Sequence, residues 1–188
     1  MNTTMPHPLR EYVLIDTETT GFGPAAQLVE VAAIHIRDGE PVRTFQTLVR
    51  PSVSIPWRAS QVHGISNAMV RGAPAEADVV RTLRDFIGTH PLVAHNASFD
   101  VKVLQGAFHR AGVAAPGSVV WCSLKLARRF VSEAPSHALG ALARHLSLET
   151  VPSHRAMSDV LTTQALLAVI LDRATARQLS ATGPSTML

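Results

Sequence analysis

Two carboxylates stand two residues apart where an apolar run of the chain ends. Tyr12–Ile15 has the β-branched and aromatic character of a strand, and it leads into Asp16 and Glu18. Residues i and i+2 of a strand point to the same face, so these carboxylates emerge side by side. Such neighbours repel, and a hard divalent cation would relieve the repulsion. On these residues alone, a metal-binding pair and a solvated strand end before a turn at Gly21 fit equally well.

A third carboxylate follows a later apolar run. Pro91–His95 predicts a short strand, and Asn96 or Ser98 is expected to cap the next helix, which places Asp100 in its first turn. The partial positive charge of a helix N-terminus favours the ionised form of Asp100. Ligands of open α/β sheets lie beyond the carboxyl ends of the parallel strands, so adjacent strands would bring the three acids together. Taken alone, Asp100 is more typical of an ordinary first-turn acid.

His154 and Asp159 precede the last apolar pattern of the chain. In a continuous helix, five residues turn through about 500°, which leaves these two side chains roughly 140° apart. If the helix starts just after His154, the histidine can turn back over the carboxylates. Asp159 would then point inward from the second turn, beside Val160. An isolated histidine at this position would be an ordinary surface loop residue.

Apolar periodicity predicts the elements that position these side chains. The predicted strands span residues 12–17, 27–36, 42–49, 91–95 and 119–122. The predicted helices span residues 75–88, 98–111, 124–130, 137–146 and 156–171. The inner side of the last helix is expected to carry Val160, Leu161, Gln164, Leu167 and Leu171. Asp38-Gly39 is a hairpin signal between the second and third strands, and strands separated by helices run parallel. The order predicts an α/β fold with a mixed five-stranded sheet, antiparallel over strands 1–3 and parallel over strands 4–5, flanked by helices.

Length and composition fit one domain with its own core. The chain has 188 residues, of which 46% are hydrophobic. No apolar run approaches the roughly 18 residues that span a membrane, and residues 1–11 lack the apolar segment of a signal peptide. We therefore expect a cytoplasmic location and no membrane. The lone Cys122 excludes an intrachain disulfide. We expect a disordered arm over residues 1–10, a domain over 11–174 and a flexible tail over 175–188.

The charge balance suits a polyanionic partner. The formal net charge is +3, and setting four carboxylates aside as metal ligands leaves ten acids against 17 basic residues. Arginine outnumbers lysine 15 to 2. The arginine guanidinium binds phosphate through two parallel hydrogen bonds, which lysine cannot do. Compositional bias of the source genome nevertheless explains this ratio better.

Three segments carry a resemblance to a known family. DTETTG at 16–21, HNASFD at 95–100 and HRAMSD at 154–159 resemble, in order and spacing, the three motifs of the DnaQ-like DEDDh 3′–5′ exonucleases. That family includes the proofreading epsilon subunits of bacterial DNA polymerase III. VHGIS at 62–66 is similar to the family's VHGI segment, and the resemblance spans about residues 10–172. Arg58 stands where the family pattern suggests a helper polar or acidic residue.

The resemblance implies an RNase H-like fold and a two-metal exonuclease. It implies two Mg²⁺ or Mn²⁺ ions, with Asp16 bridging both. The implied ligands are Asp16, Glu18, Asp100 and Asp159. The implied base, or orienting group for the attacking water, is His154, whose ordinary pKa near 6.5 suits that task. The implied substrate contacts are Thr19, Gly21, His63 and Phe99, with core packing as the alternative for Phe99. The expected reaction shortens single-stranded DNA from its 3′ end and releases nucleoside 5′-monophosphates.

Three alternatives stay open. An exoribonuclease of the oligoribonuclease or tRNA-trimming type would use the same chemistry, and the motif wording only leans towards the proofreading branch. An idle nucleic-acid-binding or polymerase-docking module would lack one or more of the carboxylates. An RNase H-type endonuclease or integrase fits the acid spacing less well. Association with a DNA polymerase or a sliding clamp is expected to be loose, because little follows Leu171 and Gln178–Ser180 only faintly resembles a clamp peptide.

Overall fold

In the computed structural model of the chain, residues 9–23, 25–149 and 155–188 are described, apart from the side chains of residues 176 and 177. The strands are β1 Glu11–Thr19, β2 Leu28–Arg37, β3 Glu40–Leu48, β4 Leu92–Ala94, β5 Val119–Cys122 and β6 Thr186–Met187. The helices are α1 Trp57–His63, α2 Asn67–Val70, α3 Glu76–Ile87, α4 Ser98–Arg110, α5 Ser123–Phe130, α6 Leu139–His145, α7 Ala156–Arg173 and α8 Ala176–Thr182.

One mixed sheet joins the strands in the order β3-β2-β1-β4-β5-β6. β1, β2 and β3 are antiparallel, whereas β4 and β5 run parallel to β1, as the sequence predicts. Asp38 and Gly39 both have positive φ (51° and 86°), which is the geometry of a tight hairpin turn. The prediction of five strands is wrong by one, because β6 adds an antiparallel edge to β5.

Alternation along β1 divides the core into two layers. Val13 and Ile15 pack with residues of α3 and α4 on one face of the sheet. Tyr12 and Leu14 pack with residues of α5, α6 and α7 on the other face. The strand therefore carries every even-numbered side chain, including those of Asp16 and Glu18, towards the face covered by α7.

The last residues of the chain are folded, where the sequence predicts a flexible tail. Leu179 on α8 is fully buried against the layer that contains α7, and Leu188 is buried in the other layer. Thr175 and Gln178 form a capping box at the start of α8, a local signal that apolar periodicity does not detect. The predicted disorder of the N-terminal arm is also wrong for its last two residues. Leu9 is buried, and the Arg10 carbonyl accepts a hydrogen bond from the Asp38 N–H. Residues 1–8 of that arm lie outside the described residues.

The buried side of α7 is rotated from the predicted stripe. Val160 and Leu167 are buried as expected, but Leu161 is 47% exposed. The fully or nearly buried positions include Thr162, Thr163, Leu166 and Ile170. The helix packs on the sheet and also on α5 and α6, so its buried surface is wider than a single stripe. Within the described ranges, no helix is both long and apolar enough to cross a bilayer.

We predict that Leu179→Ala lowers the free energy of unfolding by about 2 to 5 kcal/mol, because it leaves a cavity between α8 and the core. Urea unfolding of the variant measures this loss. Ser180→Ala, at the adjacent exposed position, is the matched control and should be nearly neutral. An equally small effect for Leu179→Ala would show that α8 does not pack on the domain in solution.

Candidate active site

The first two acids lie on β1 beyond the end of its parallel neighbour. β4 pairs with Val13 and Leu14 and ends at Ala94, whereas β1 continues to Thr19. Asp16 and Glu18 therefore sit on a part of β1 that no parallel strand covers. Both are half-buried. The open rim gives other elements room to approach the two carboxylates.

Asp159 reaches the same place from α7. Its carboxylate and those of Asp16 and Glu18 each offer an oxygen within 4.8 Å of the others. α7 begins at Ala156, so Asp159 lies in the first helical turn rather than the predicted second. The predicted burial of Val160 beside it is confirmed.

Asp100 approaches from the opposite face of the sheet. It is buried in the first turn of α4, and its Oδ1 accepts a hydrogen bond of 2.8 Å from Thr17 Oγ1. The predicted cap by Asn96 or Ser98 is wrong, since Ala97 occupies the N-cap position with no side-chain bond. Asn96 instead takes a positive φ of 60°, which lets the chain turn sharply from β4 into α4.

Burial and mutual repulsion disfavour full ionisation of these acids. Burial, followed by repulsion from Asp100, Asp159 and Glu18, raises the pKa of Asp16 well above its ordinary value. Burial and then Asp159 raise the pKa of Glu18 to about 8. Burial also raises the pKa of Asp100 to about 7, although the hydrogen bond from Thr17 opposes the rise. Backbone hydrogen bonds at the start of α4 also lower the pKa of Asp100, in the direction expected for a helix N-terminus, but burial outweighs them.

This donor set fits a hard divalent cation. Carboxylate oxygens are the ligands that Mg²⁺ and Mn²⁺ prefer, and a bound cation would remove the repulsion that raises these pKa values. A second group of potential ligands, Glu11, His35 and His90, lies at the other end of β1. There Arg37 donates two hydrogen bonds to Glu11 Oε1, at 3.0 and 2.7 Å. That positive charge makes the second group less suited to a cation.

Glu30 and Arg155 hold the start of α7, and sequence inspection missed both. Glu30 is 1% exposed and pairs with Glu18 in the β1–β2 register. Arg155 Nε and Nη2 donate to its two oxygens at 2.9 and 2.6 Å, and the Ala156 N–H donates at 3.1 Å. Burial would raise the pKa of Glu30, but the bonds from Arg155 and Ala156 outweigh it and lower the pKa. The carboxylate on β2 thus caps the helix that carries Asp159.

A cavity of about 670 Å³ lies between the loop after β1 and the start of α4. Phe22, which is 91% exposed, and Phe99 both line it, and their rings contact each other edge to face, with centroids 5.8 Å apart. Thr19 Oγ1 is buried and donates to the Gly21 carbonyl at 2.7 Å, and Gly21 has a φ of 150°, which favours glycine. The loop geometry therefore holds Phe22 out towards Phe99.

His63 ends α1 and is buried beside the end of β1. Its Nδ1 accepts a hydrogen bond of 3.0 Å from the Ile65 N–H, so the ring proton lies on Nε2. Nε2 has no hydrogen-bond partner of normal geometry within the described part of the chain. Burial lowers the pKa of His63, and the neighbouring Thr19 backbone only partly opposes this, so the ring is neutral at pH 7. His154 lies outside the described residues.

A mixed sheet with helices on both faces and acids at the end of its first strand is the architecture of RNase H-like nucleases. The family model described as Exonuclease (RNase T) matches residues 13–167, and the chain belongs to this exonuclease family.

Individual relatives agree with this assignment. A Mycobacterium tuberculosis protein named as a bifunctional exonuclease/endonuclease is 38% identical over 176 residues, which is 88% of this chain and 27% of that protein. A PolC-type DNA polymerase III of Oceanobacillus iheyensis is 34% identical over 170 residues, covering 90% of this chain and 12% of the polymerase. The chain thus spans about a quarter or less of these relatives.

Solved structures give the same fold. Exonuclease X in complex with 5′ overhanging duplex DNA has a TM-score of 0.71 and 34% identity, covering 92% of this chain and 99% of that one. E. coli exonuclease I in complex with a dT13 oligonucleotide has a TM-score of 0.76 at 20% identity, covering 87% of this chain and 41% of that one. The second comparison concerns the fold alone.

We predict that the metal-free protein loses stability as pH rises from about 4.5 to about 8. The folded state raises the pKa of Glu18 to about 8, so it retains a proton that the unfolded chain releases near pH 4.5. That contribution to stability is complete below the unfolded pKa and is lost as pH rises through the folded pKa. Melting temperatures in EDTA across this range measure the effect, and Mg²⁺ should flatten it.

Glu18→Gln should reduce this pH dependence and raise the melting temperature at pH 8 in EDTA. Glu40→Gln, at an exposed position on the edge strand, is the matched control and should leave the slope unchanged. If Glu18→Gln and the unsubstituted protein show the same dependence of melting temperature on pH, the raised pKa of Glu18 in the folded protein is contradicted.

Proposed function

We propose that the chain is a metal-dependent 3′→5′ exonuclease that hydrolyses single-stranded DNA ends and releases nucleoside 5′-monophosphates. The observation that carries this proposal is the carboxylate cluster of Asp16, Glu18 and Asp159, with Asp100 buried alongside, in a chain of the exonuclease family. Four acids alone would repel a phosphodiester. Their chemistry therefore requires cations between protein and substrate.

Asp16, Glu18, Asp100 and Asp159 would hold two Mg²⁺ or Mn²⁺ ions. Bound there, the ions supply positive charge that stabilises both the attacking and the leaving oxygen of the phosphodiester. Asp16 suits the bridging position, because it interacts electrostatically with each of the other three acids. Thr17, an uncharged residue, orients Asp100 through a hydrogen bond. Glu30, whose charge is already paired with Arg155, secures the helix that carries Asp159.

His154 is proposed as the group that deprotonates or orients the attacking water. It directly precedes Arg155, which Glu30 anchors beside the carboxylates. An imidazole with a pKa near neutrality can accept the proton that the attacking water loses. The role predicts that His154→Ala retains metal binding but loses turnover.

The cavity that Phe22 and Phe99 line is proposed to hold the terminal nucleotide. An exposed aromatic ring offers a stacking surface to any base. His63, Thr19 and the Gly21 backbone, at or beside the adjoining end of β1, are proposed as contacts to the sugar or the phosphate. The preference for DNA is supported by Exonuclease X, which was solved with 5′ overhanging duplex DNA at 34% identity to this chain.

A cytoplasmic role beside a DNA polymerase is proposed from the PolC-type relatives. Contact with a sliding clamp through Gln178–Ser180 is less well supported by the structure. Leu179 in that segment is fully buried, so it could not insert into a partner without undocking α8.

We predict that purified protein shortens a 5′-labelled dT20 strand from its 3′ end in Mg²⁺ or Mn²⁺, with EDTA as the blank. Asp16→Asn and Asp159→Asn should each reduce the rate about a thousandfold or more, since bound cations contribute several kcal/mol to phosphoryl chemistry. Gel resolution of the products over time measures both polarity and rate.

Asp85→Asn, an exposed acid on α3, is the matched control and should retain full activity. A uridine 20-mer in the same assay distinguishes the exoribonuclease alternative, which predicts faster loss of RNA. An intact dT20 strand under both metals would refute the proposal, and so would normal activity of Asp16→Asn.

A further inference from the structure

A second groove continues from the nucleotide cavity along the same rim of the sheet. It has a volume of about 520 Å³ and lies between α4, the start of α5 and β6. The two cavities share Asn96, Ser98, Lys102 and Gln105 in their linings, so they form one continuous depression. The side chain of Gln105 donates to the Met187 carbonyl at 3.4 Å and ties α4 to the wall formed by β6.

Three exposed cations line this groove: Lys102, Lys125 and Arg128. The two lysines are the only ones in the chain. Lys125 and Arg128 are three residues apart on α5 and therefore share a face. None of the three forms an ion pair with a described residue, whereas Arg110 and Arg155, for example, are paired with acids. Within the described residues, no acid lines the groove.

The lining of the groove extends from the nucleotide cavity to Cys122 on β5 and Thr186 on β6. β5 lies two strands from β1, which is roughly 10 Å at the usual strand spacing. Stacked nucleotides repeat about every 3.4 Å, so this distance corresponds to roughly three phosphates. Lys102 stands where the groove joins the nucleotide cavity, and Lys125 and Arg128 follow it away from the carboxylates.

From this geometry, and resting on the proposed function, we infer that the groove binds the phosphodiester backbone of the hydrolysed strand, several nucleotides upstream of its 3′ end. The described lining presents three cations and small polar groups beside the apolar residues Val101, Cys122 and Leu124. Since it presents no acid, we expect the polynucleotide to be recognised by charge and not by base identity. The folded C-terminal segment contributes to substrate binding because Ser185 and Thr186 form one wall.

The test is Lys125→Gln/Arg128→Gln, compared on a long and a minimal substrate. The long substrate is dT12, and the minimal one is the p-nitrophenyl ester of thymidine 5′-monophosphate, which is too short to reach the groove. We predict that the ratio of kcat/KM for dT12 to kcat/KM for the ester falls roughly tenfold. Binding of dT12 in EDTA should show a log–log salt slope smaller by about 1.4, which is about 0.7 for each lost phosphate contact.

Arg71→Gln/Arg144→Gln removes the same net charge at exposed positions that line neither cavity, and it should leave the ratio unchanged. An unchanged ratio in the groove variant, or an equal fall in the control, would contradict binding of the phosphodiester backbone in this groove. If the variant loses activity only on dT12 that is annealed in a duplex, the groove binds the complementary strand, which would contradict its assignment to the hydrolysed strand. Failure of the unsubstituted protein on both substrates would refute the exonuclease proposal and not the groove alone.

Discussion

Repulsion among four carboxylates at the end of β1 is the constraint on which the surrounding structure depends. Burial, together with repulsion from the neighbouring acids, raises the pKa values of Asp16, Glu18 and Asp100. Asp159 lies beside Asp16 and Glu18, with carboxylate oxygens within 4.8 Å. Each acid therefore arrives on an element that is secured elsewhere. β1 is held by its neighbours on both sides, α4 is packed in one layer of the core and α7 in the other. A cation that binds here gains the free energy that the repulsion costs.

The buried Glu30–Arg155 pair is the device that makes the approach of α7 possible. A buried carboxylate is costly without partners, and Glu30 has four hydrogen-bond donors, from Gln46, Arg155 (two) and Ala156. The same bonds place the first turn of α7 against β2, opposite Glu18. The pair thus holds an ionised carboxylate close to the site, with its charge balanced by the Arg155 guanidinium, without occupying a ligand position. Arg155 also partly offsets the repulsion felt by Glu18.

Patterns within a few residues of sequence were enough to predict the features that depend only on local backbone geometry. The two-residue period of a strand placed Asp16 beside Glu18, and Asp38-Gly39 defined the hairpin. Long-range partners were not predictable in this way, because Glu30 stands within an apolar strand and its role depends on Arg155, 125 residues away. Thr17 likewise has no sequence feature that points to Asp100. The C-terminal segment was mispredicted because its few apolar residues, such as Leu179, are too sparse for a periodicity yet are buried individually.

Anomalous diffraction from crystals grown with Mn²⁺ and a nucleoside 5′-monophosphate is the most direct measurement of the carboxylate site. The proposed two-metal function predicts two manganese peaks about 3.5–4 Å apart, with Asp16 expected to contact both. Glu18, Asp100 and Asp159 should complete the ligand set. An absence of manganese at these carboxylates, or its binding only at Glu11, His35 and His90, would contradict the assignment of this rim as the catalytic centre.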